Sequence, residues 1–224
     1  MAAAPSPSSF DFSDVQAFRS LARTKLLPAP GVCGPSDANP SGAGPSDFDL
    51  NPDAASLAEA ASIAAAVLVP VLRRPELTLL LTERARHLTK HAGQIAFPGG
   101  RIESMDATAL DAALREAWEE VGLPPTHAEP LGFVEPYQTG TGFLVTPVVA
   151  LVDPSFAVRP EPHEVQSVFE VPLAFLMNAD NHRIDTREWR GEERRYFAMP
   201  YGERYIWGAT AGIIRALHRR LFLT

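Results

Sequence analysis

Between Pro98 and Leu123 the chain reads PGGRIESMDATALDAALREAWEEVGL, with Arg115 followed by Glu116, Glu119 and Glu120. A helix advances about 100° per residue, so the three carboxylates share one face. Leu110, Ala113, Leu114, Ala117 and Val121 then form an apolar stripe on the other. Carboxylates gathered at the C-terminal end of a helix repel one another and oppose the macrodipole, a cost that plain surface does not require. A solvated acidic face is the competing reading of any such run. The Pro98-Gly99-Gly100 turn favours a different one, because small residues let backbone carbonyls approach a ligand closely. Clustered carboxylates beside a carbonyl are hard oxygen donors suited to Mg²⁺ or Mn²⁺. Arg115 stands beside the cluster, with Asp111 one turn earlier as a candidate partner.

The helix carrying these groups is expected from about Ala107 to Val121, stopped by Gly122 at a natural C-terminal cap. Ahead of it, SIAAAVLVPVL and LTLLLTER are short apolar runs separated by RRPE, the pattern of two strands and a turn. Behind it, LGFVEPYQ and GFLVTPVVALV read as strands joined by Gly140-Thr141-Gly142. SVFEVPL is a further strand leading into a short helix near Ala174 to Met177, and RRYFAMPYGERYIWG resembles a hairpin turning at Pro200-Tyr201-Gly202. Ile206, Thr210, Ile213, Leu217 and Leu221 space as a closing amphipathic helix. Strands and helices alternate without a regular βαβ rhythm, which predicts an α+β sandwich around a mixed sheet rather than a doubly wound fold.

The N-terminal part differs in character. Ser13 to Leu27 fits a helix with a capping box at Ser13 and Gln16. Pro28 to Asp53 is dense in Pro, Gly, Ser, Ala and Asp, and reads as a flexible connector. The expected division is an extension over residues 1–60 and a catalytic-type domain over 61–224.

Composition narrows the function classes. A net charge of −7 gives no general electrostatic case for nucleic acid or an anionic membrane. Cys33 is the single cysteine, so neither an intrachain disulfide nor a cysteine metal cage is available. No apolar run is long enough to span a bilayer, and the first residues lack the features of a secretory or transit signal. A cytoplasmic location is expected.

The helix and its turn resemble the Nudix box, G-x5-E-x7-R-E-U-x-E-E-x-G-U with U aliphatic. Arg115, Glu116, Ala117, Glu119, Glu120, Gly122 and Leu123 match, and Gly100 stands one residue ahead of the box glycine. Counted back from Arg115, the early glutamate of the box falls on Ala107, so Asp106 or Glu103 must serve. LLTERARHLTKHAGQIAFPGG, residues 80–100, is similar to the signature of the coenzyme A pyrophosphatase subgroup, L-L-T-x-R-[SA]-x3-R-x3-G-x3-F-P-G-G. Leu80, Leu81, Thr82, Arg84, Ala85, Gly93, Phe97, Pro98, Gly99 and Gly100 agree with it. Thr89 occupies the position of its second Arg, flanked by Arg86 and Lys90, which can replace charge but not bidentate geometry.

The resemblance implies a Nudix-type α/β/α sandwich with a central mixed sheet and hydrolysis of a nucleoside diphosphate linked to another group, assisted by Mg²⁺ or Mn²⁺. It assigns Glu116 and Glu120 as metal ligands, with Glu119 and the Gly100 carbonyl beside them. Arg115 orients carboxylates, through an ion pair to Asp106 or Glu103. The proton acceptor is a box glutamate such as Glu119 or the later Glu164, for which an exposed loop charge is the competing reading. Arg84, Arg86, Lys90 and Arg101 are the candidate phosphate-binding cations. The subgroup signature implies coenzyme A or acyl-coenzyme A as the small-molecule substrate. The same chemistry on ADP-ribose or a dinucleoside polyphosphate, or a silent nucleotide-binding domain, are the alternatives. No nucleic-acid or membrane partner is expected, and a homodimer is left open.

Overall fold

The computed structural model describes residues 6–28, 45–51, 63–189 and 191–223. Cys33 and most of the predicted connector lie outside the described residues.

A mixed sheet forms the centre. β1 (Ile63–Leu72) turns into β2 (Thr78–Arg84), and the short β3 (Ile95–Ala96) and β4 (Gly99–Arg101) follow. After helix α2 (Ala109–Val121) come β5 (Ala128–Phe133), β6 (Tyr137–Gln138), β7 (Phe143–Val152) and β8 (Val165–Pro172). The path β3-β2-β1-β7-β5 has β4 paired to β1, β6 to β7 and β8 to β2. Among the strands of this sheet that the structure describes, only β1 and β7 run parallel, in continuous register from Ile63 beside Phe143 to Leu72 beside Val152. The mixed sheet expected from the irregular element rhythm is therefore present.

Alternation along the strands sends side chains into two layers. Leu68, Leu80, Val148 and Ala150 meet α2, whose contact face is largely alanine: Ala109, Ala112, Ala113 and Ala117. Small residues bring this helix close to the sheet, which fixes where its glutamates stand. On the opposite face, Val69, Leu79, Leu81 and Val149 pack against α4 (Ala209–Phe222), through Ile213, Ile214, Leu217 and Leu221. Helix α1 (Val15–Lys25) joins the same layer by Phe18 and Ala22.

Several local expectations are corrected. Asp14, not Ser13, caps α1, accepting from the N–H groups of Gln16 and Ala17 at 2.9 Å each; Ser13 bonds Asp11 instead. Thr108 caps α2, which begins at Ala109 rather than Ala107, while Gly122 closes it at φ 70° as expected. LGFVEPYQ divides into β5 and β6 because Pro136 has no N–H to continue a ladder. α3 (Leu173–Met177) follows β8.

β9 (Arg183–Trp189), β10 (Glu192–Tyr201) and β11 (Arg204–Trp207) form a second, antiparallel sheet. The final hairpin turns at Gly202-Glu203, with Tyr201 paired to Arg204, so Pro200 lies in the strand. Ile206 belongs to β11 rather than to the closing helix. β9 was not expected, since RIDTREW shows no apolar alternation.

Residues 45–51 of the predicted connector are fastened at several points. Ser46 bridges Gln138, Asp47 accepts from Tyr137 Oη (2.9 Å) and Gly140 N (2.7 Å), and Asn51 exchanges hydrogen bonds with the Arg195 backbone.

Candidate active site

The carboxylates of α2 face the turn between β3 and β4. β4 runs antiparallel to β1 with Gly100 opposite Ala66. A Cβ on Gly100 would overlap the Glu116 carboxylate, and one on Gly99 would overlap the backbone of Ala66 and Val67. The two glycines therefore admit a carboxylate on one side and a neighbouring strand on the other.

Glu120 is buried, 4% exposed. Its Oε2 accepts from Gly99 N–H at 3.2 Å, and its Oε1 lies 3.9 Å from Arg84 Nη1. Burial pushes its carboxyl up to about 8, against the partial relief of Gly99 and Arg84, and the charges of Glu116 and Glu164 push the same way. Glu116 is raised as well, chiefly by burial, although Arg115 Nη1 donates to its Oε1 at 2.9 Å.

Arg115 organises the outer part. Its Nε and Nη2 hold the two Asp106 oxygens at 3.0 Å each, while Nη1 reaches Glu116 and, at 3.1 Å, Glu119. Nη2 also donates to the Arg101 carbonyl at 3.2 Å, tying α2 to the end of β4. This bidentate grip holds Asp106 below the usual carboxylate range. Between the two acids proposed for Arg115, Asp106 takes the guanidinium, and Glu103 supplies only its backbone N–H to Asp106, at 2.8 Å. The earlier candidate, Asp111, accepts from Thr108 Oγ1 instead.

The other candidates are spread around this centre. Glu119 is 56% exposed, in contact with Arg115. Glu164 is an exposed residue of the loop before β8, yet its charge acts on both Glu116 and Glu120. Its carbonyl accepts from Ala85 N at 2.8 Å, which joins that loop to the end of β2. Arg84 closes β2 at a register shift between Glu83 and Arg84, with its Nε buried and without a partner among the described residues. Arg86 is exposed and reaches back 3.4 Å to Glu83, away from the carboxylates. Lys90 is exposed in the following loop, where Gln94 bonds His91 at 2.8 Å. Arg101 is exposed, its guanidinium 5.7 Å from the Phe143 ring centre.

One contributor escaped the sequence reading. Arg204 of β11 pairs with Glu83, donates to Ser167 Oγ at 3.3 Å and lies over the Phe169 ring at 4.4 Å. It clasps the strand pair β2–β8 one residue before Arg84. No local motif marks it, because its partner is 121 residues away.

Among the described residues, no three Asp, Glu, His or Cys side chains already converge to hold an ion. Arg115 draws Glu116 and Glu119 to one side. The donor set still fits a divalent cation: Glu116 and Glu120 are acids held at raised pKa by burial, and Gly100 lets the Glu116 carboxylate lie directly against the turn.

Fold and site together define a carboxylate-helix α/β/α sandwich of the kind that handles a diphosphate. The NUDIX domain profile matches residues 63–191, and the chain belongs to this family. It is 48% identical over 154 residues to the uncharacterized Nudix hydrolase NudL of Escherichia coli K12, covering 68% of this chain and 80% of that protein. It is 46% identical over 161 residues to the NudL of Shigella flexneri, covering 71% and 83%. A cocrystal structure of the NUDIX domain of Shewanella oneidensis NrtR complexed with ADP ribose aligns at TM-score 0.45 and 19% identity, over 76% of this chain and 98% of that one. Hydrolysis of a nucleoside-diphosphate-linked substrate is the activity that family and site support. No helix among the described residues is long and apolar enough to cross a membrane.

Proposed function

We propose that the protein hydrolyses the diphosphate of coenzyme A or acyl-coenzyme A, giving 4′-phosphopantetheine, free or acylated, and adenosine 3′,5′-bisphosphate. The observation that carries the reading is the meeting of two sequence features at one point. The end of the LLTERA segment, Arg84, lies 3.9 Å from Glu120 of the Nudix helix. The FPGG segment supplies the turn beside which Glu116 fits. The residues that distinguish the coenzyme A subgroup thus adjoin the residues that distinguish the family.

Glu116, Glu120 and the Gly100 carbonyl would hold Mg²⁺ or Mn²⁺, with Glu119 at the exposed edge. When bound, the cation neutralises phosphate charge, orients the diphosphate and makes water more acidic. Arg115 keeps Glu116 and Glu119 from moving independently, through its anchor on Asp106. Glu164 is the preferred proton acceptor, since it is exposed to water while its charge is felt by Glu116 and Glu120. Glu119 is the second candidate, although Arg115 already occupies one of its oxygens. Arg84 is the cation best placed for a diphosphate oxygen. Arg86, Lys90 and Arg101 are exposed and suit the mobile, more distant 3′-phosphate.

A panel of coenzyme A, acyl-coenzyme A, ADP-ribose and dinucleoside polyphosphates, with Mg²⁺ and with Mn²⁺, tests the reading by mass spectrometry of the products. The expected result is cleavage of coenzyme A or its acyl form at the diphosphate. Intact coenzyme A alongside cleaved ADP-ribose would overturn the substrate assignment and leave the family chemistry standing.

A further inference from the structure

Among the described residues, the second sheet ends in β9 as an edge strand. β10 is the one strand among the described residues that pairs with β9, from Arg183 beside Ala198 to Trp189 beside Glu192. Residues 183, 184 and 186–188 of β9 are exposed, Ile184 to 45%. The inner face of the sheet is fixed by Phe197, Met199 and Ile206, which enter the core. Arg183, Asp185 and Arg187 therefore face outward, beside Tyr196 and Trp207. Tyr205 Oη donates to Asp185 at 2.5 Å, and the Arg187 guanidinium lies 5.9 Å from the Trp207 ring centre. Two charges of opposite sign are thus set in place on the outer face of this edge strand.

An unpaired strand of this length presents backbone donors and acceptors to any second strand. Charges commonly protect such an edge, but their order here matters. When a strand pairs antiparallel with its own copy about a two-fold axis, opposite residues must share a face, so the register is centred on a residue. Centring on Asp185 would set Asp185 against itself and Arg183 against Arg187. Centring on Arg187 would set Arg187 against itself. Centring on Thr186 sets Asp185 against Arg187 of the second copy, twice, and Ile184 against Glu188. Centring on Ile184 also sets Arg183 against Asp185 but pairs only residues 183–185 of β9, whereas centring on Thr186 pairs the whole strand, 183–189. The registers centred on Asp185 and Arg187 are opposed by their charges.

We propose that β9 is a homodimer interface, in which two copies join their second sheets by antiparallel pairing centred on Thr186. A pairing of one short strand from each copy buries little surface, so the association is weak and dependent on concentration.

Sedimentation velocity of the full chain across the micromolar to millimolar range is expected to show a monomer–dimer equilibrium. Asp185→Arg and Arg187→Glu each place like charges opposite one another and are expected to weaken it about tenfold or more. An equimolar mixture of the two variants restores opposite charges at both positions and is expected to recover the dimer. An independent measurement uses Thr186→Cys in a chain carrying Cys33→Ser. Mild oxidation should cross-link it into a dimer, because residue 186 faces its own copy, whereas Glu188→Cys in the same background should not. A chain that stays monomeric throughout, a dimer indifferent to both charge reversals, or a Thr186→Cys chain that fails to cross-link overturns the proposal.

Discussion

Asp47 and Glu120 are both carboxylates whose ionisation is opposed by burial, and their surroundings treat that opposition differently. Around Asp47 the protein supplies two directed donors, Tyr137 Oη at 2.9 Å and Gly140 N at 2.7 Å. Around Glu120 it supplies one N–H at 3.2 Å and a guanidinium 3.9 Å away, and it adds Glu116 and Glu164 nearby. Asp47 is a tie between segments whose bonds are already made. Glu120 is left short of positive charge beside a Gly99-Gly100 turn whose missing side chains let Glu116 and β1 pack closely against it. Incomplete satisfaction of a buried acid is costly for stability alone, and it is what a cation site requires.

The most severe way to break this contrast is Glu120→Gln. The variant keeps size and hydrogen-bonding atoms but removes the carboxylate proposed to hold the cation. Loss of several kcal/mol of transition-state stabilisation should lower the Mg²⁺- or Mn²⁺-dependent rate by about 10³-fold or more. The same variant should unfold no more easily than the native chain in the absence of metal at alkaline pH, because it has no buried charge to create. Turnover like the native protein would dismiss Glu120 as a ligand.

Proton linkage sharpens the contrast next. The Glu120 carboxyl is raised from 4.5 to about 8, so the folded state keeps a proton that the unfolded state has lost between those values. Half-buried His182 and buried His218, held below their usual range, push total stability the other way, so the Glu120 contribution is read as the native chain minus Glu120→Gln. In the metal-free protein that difference should fall as pH rises from about 4.5 to about 8, by a few kcal/mol at most. Added Mg²⁺ competes with that proton, so it should stabilise the protein increasingly as pH rises through the same window. Denaturant unfolding with and without Mg²⁺ measures both effects. A native-minus-variant difference that rises over this window without metal would reverse the assignment.

What the sequence discloses about these two acids follows from how far away their partners are. The Glu120 helix is legible because its period, its Gly122 stop and the preceding glycine turn lie within one short stretch. The Asp106 grip on Arg115 spans only nine residues and was within reach of motif spacing. Asp47 was not legible at all. It sits in a Pro-, Gly- and Ser-rich segment that composition describes as a connector, and Tyr137 is 90 residues away. Arg204 and Glu83 form another long-range pair of this kind. β9 fails for a different reason: it has an exposed outer edge and alternating charges, so no apolar period announces it. Local chemistry writes itself into spacing, whereas ties between distant segments appear only when the chain is folded.

Tyr137→Phe tests the structural half of the comparison. The phenol is buried beneath the 45–51 segment, and its loss takes one of two directed donors from Asp47. Leaving a buried acceptor short of a partner costs about 1–3 kcal/mol, which lowers the melting temperature by several degrees in a chain of this size. Both residues bond elsewhere than to Glu116, Glu120 or Arg84, so the rate per folded molecule should change little. The signs are thus opposite to those of Glu120→Gln, where activity collapses and metal-free stability holds. If Tyr137→Phe instead lowers the rate as Glu120→Gln does, the tie is transmitting order through the Gly140–Gly142 turn to Phe143 and Arg101. The two carboxylates would then belong to one functional unit rather than two.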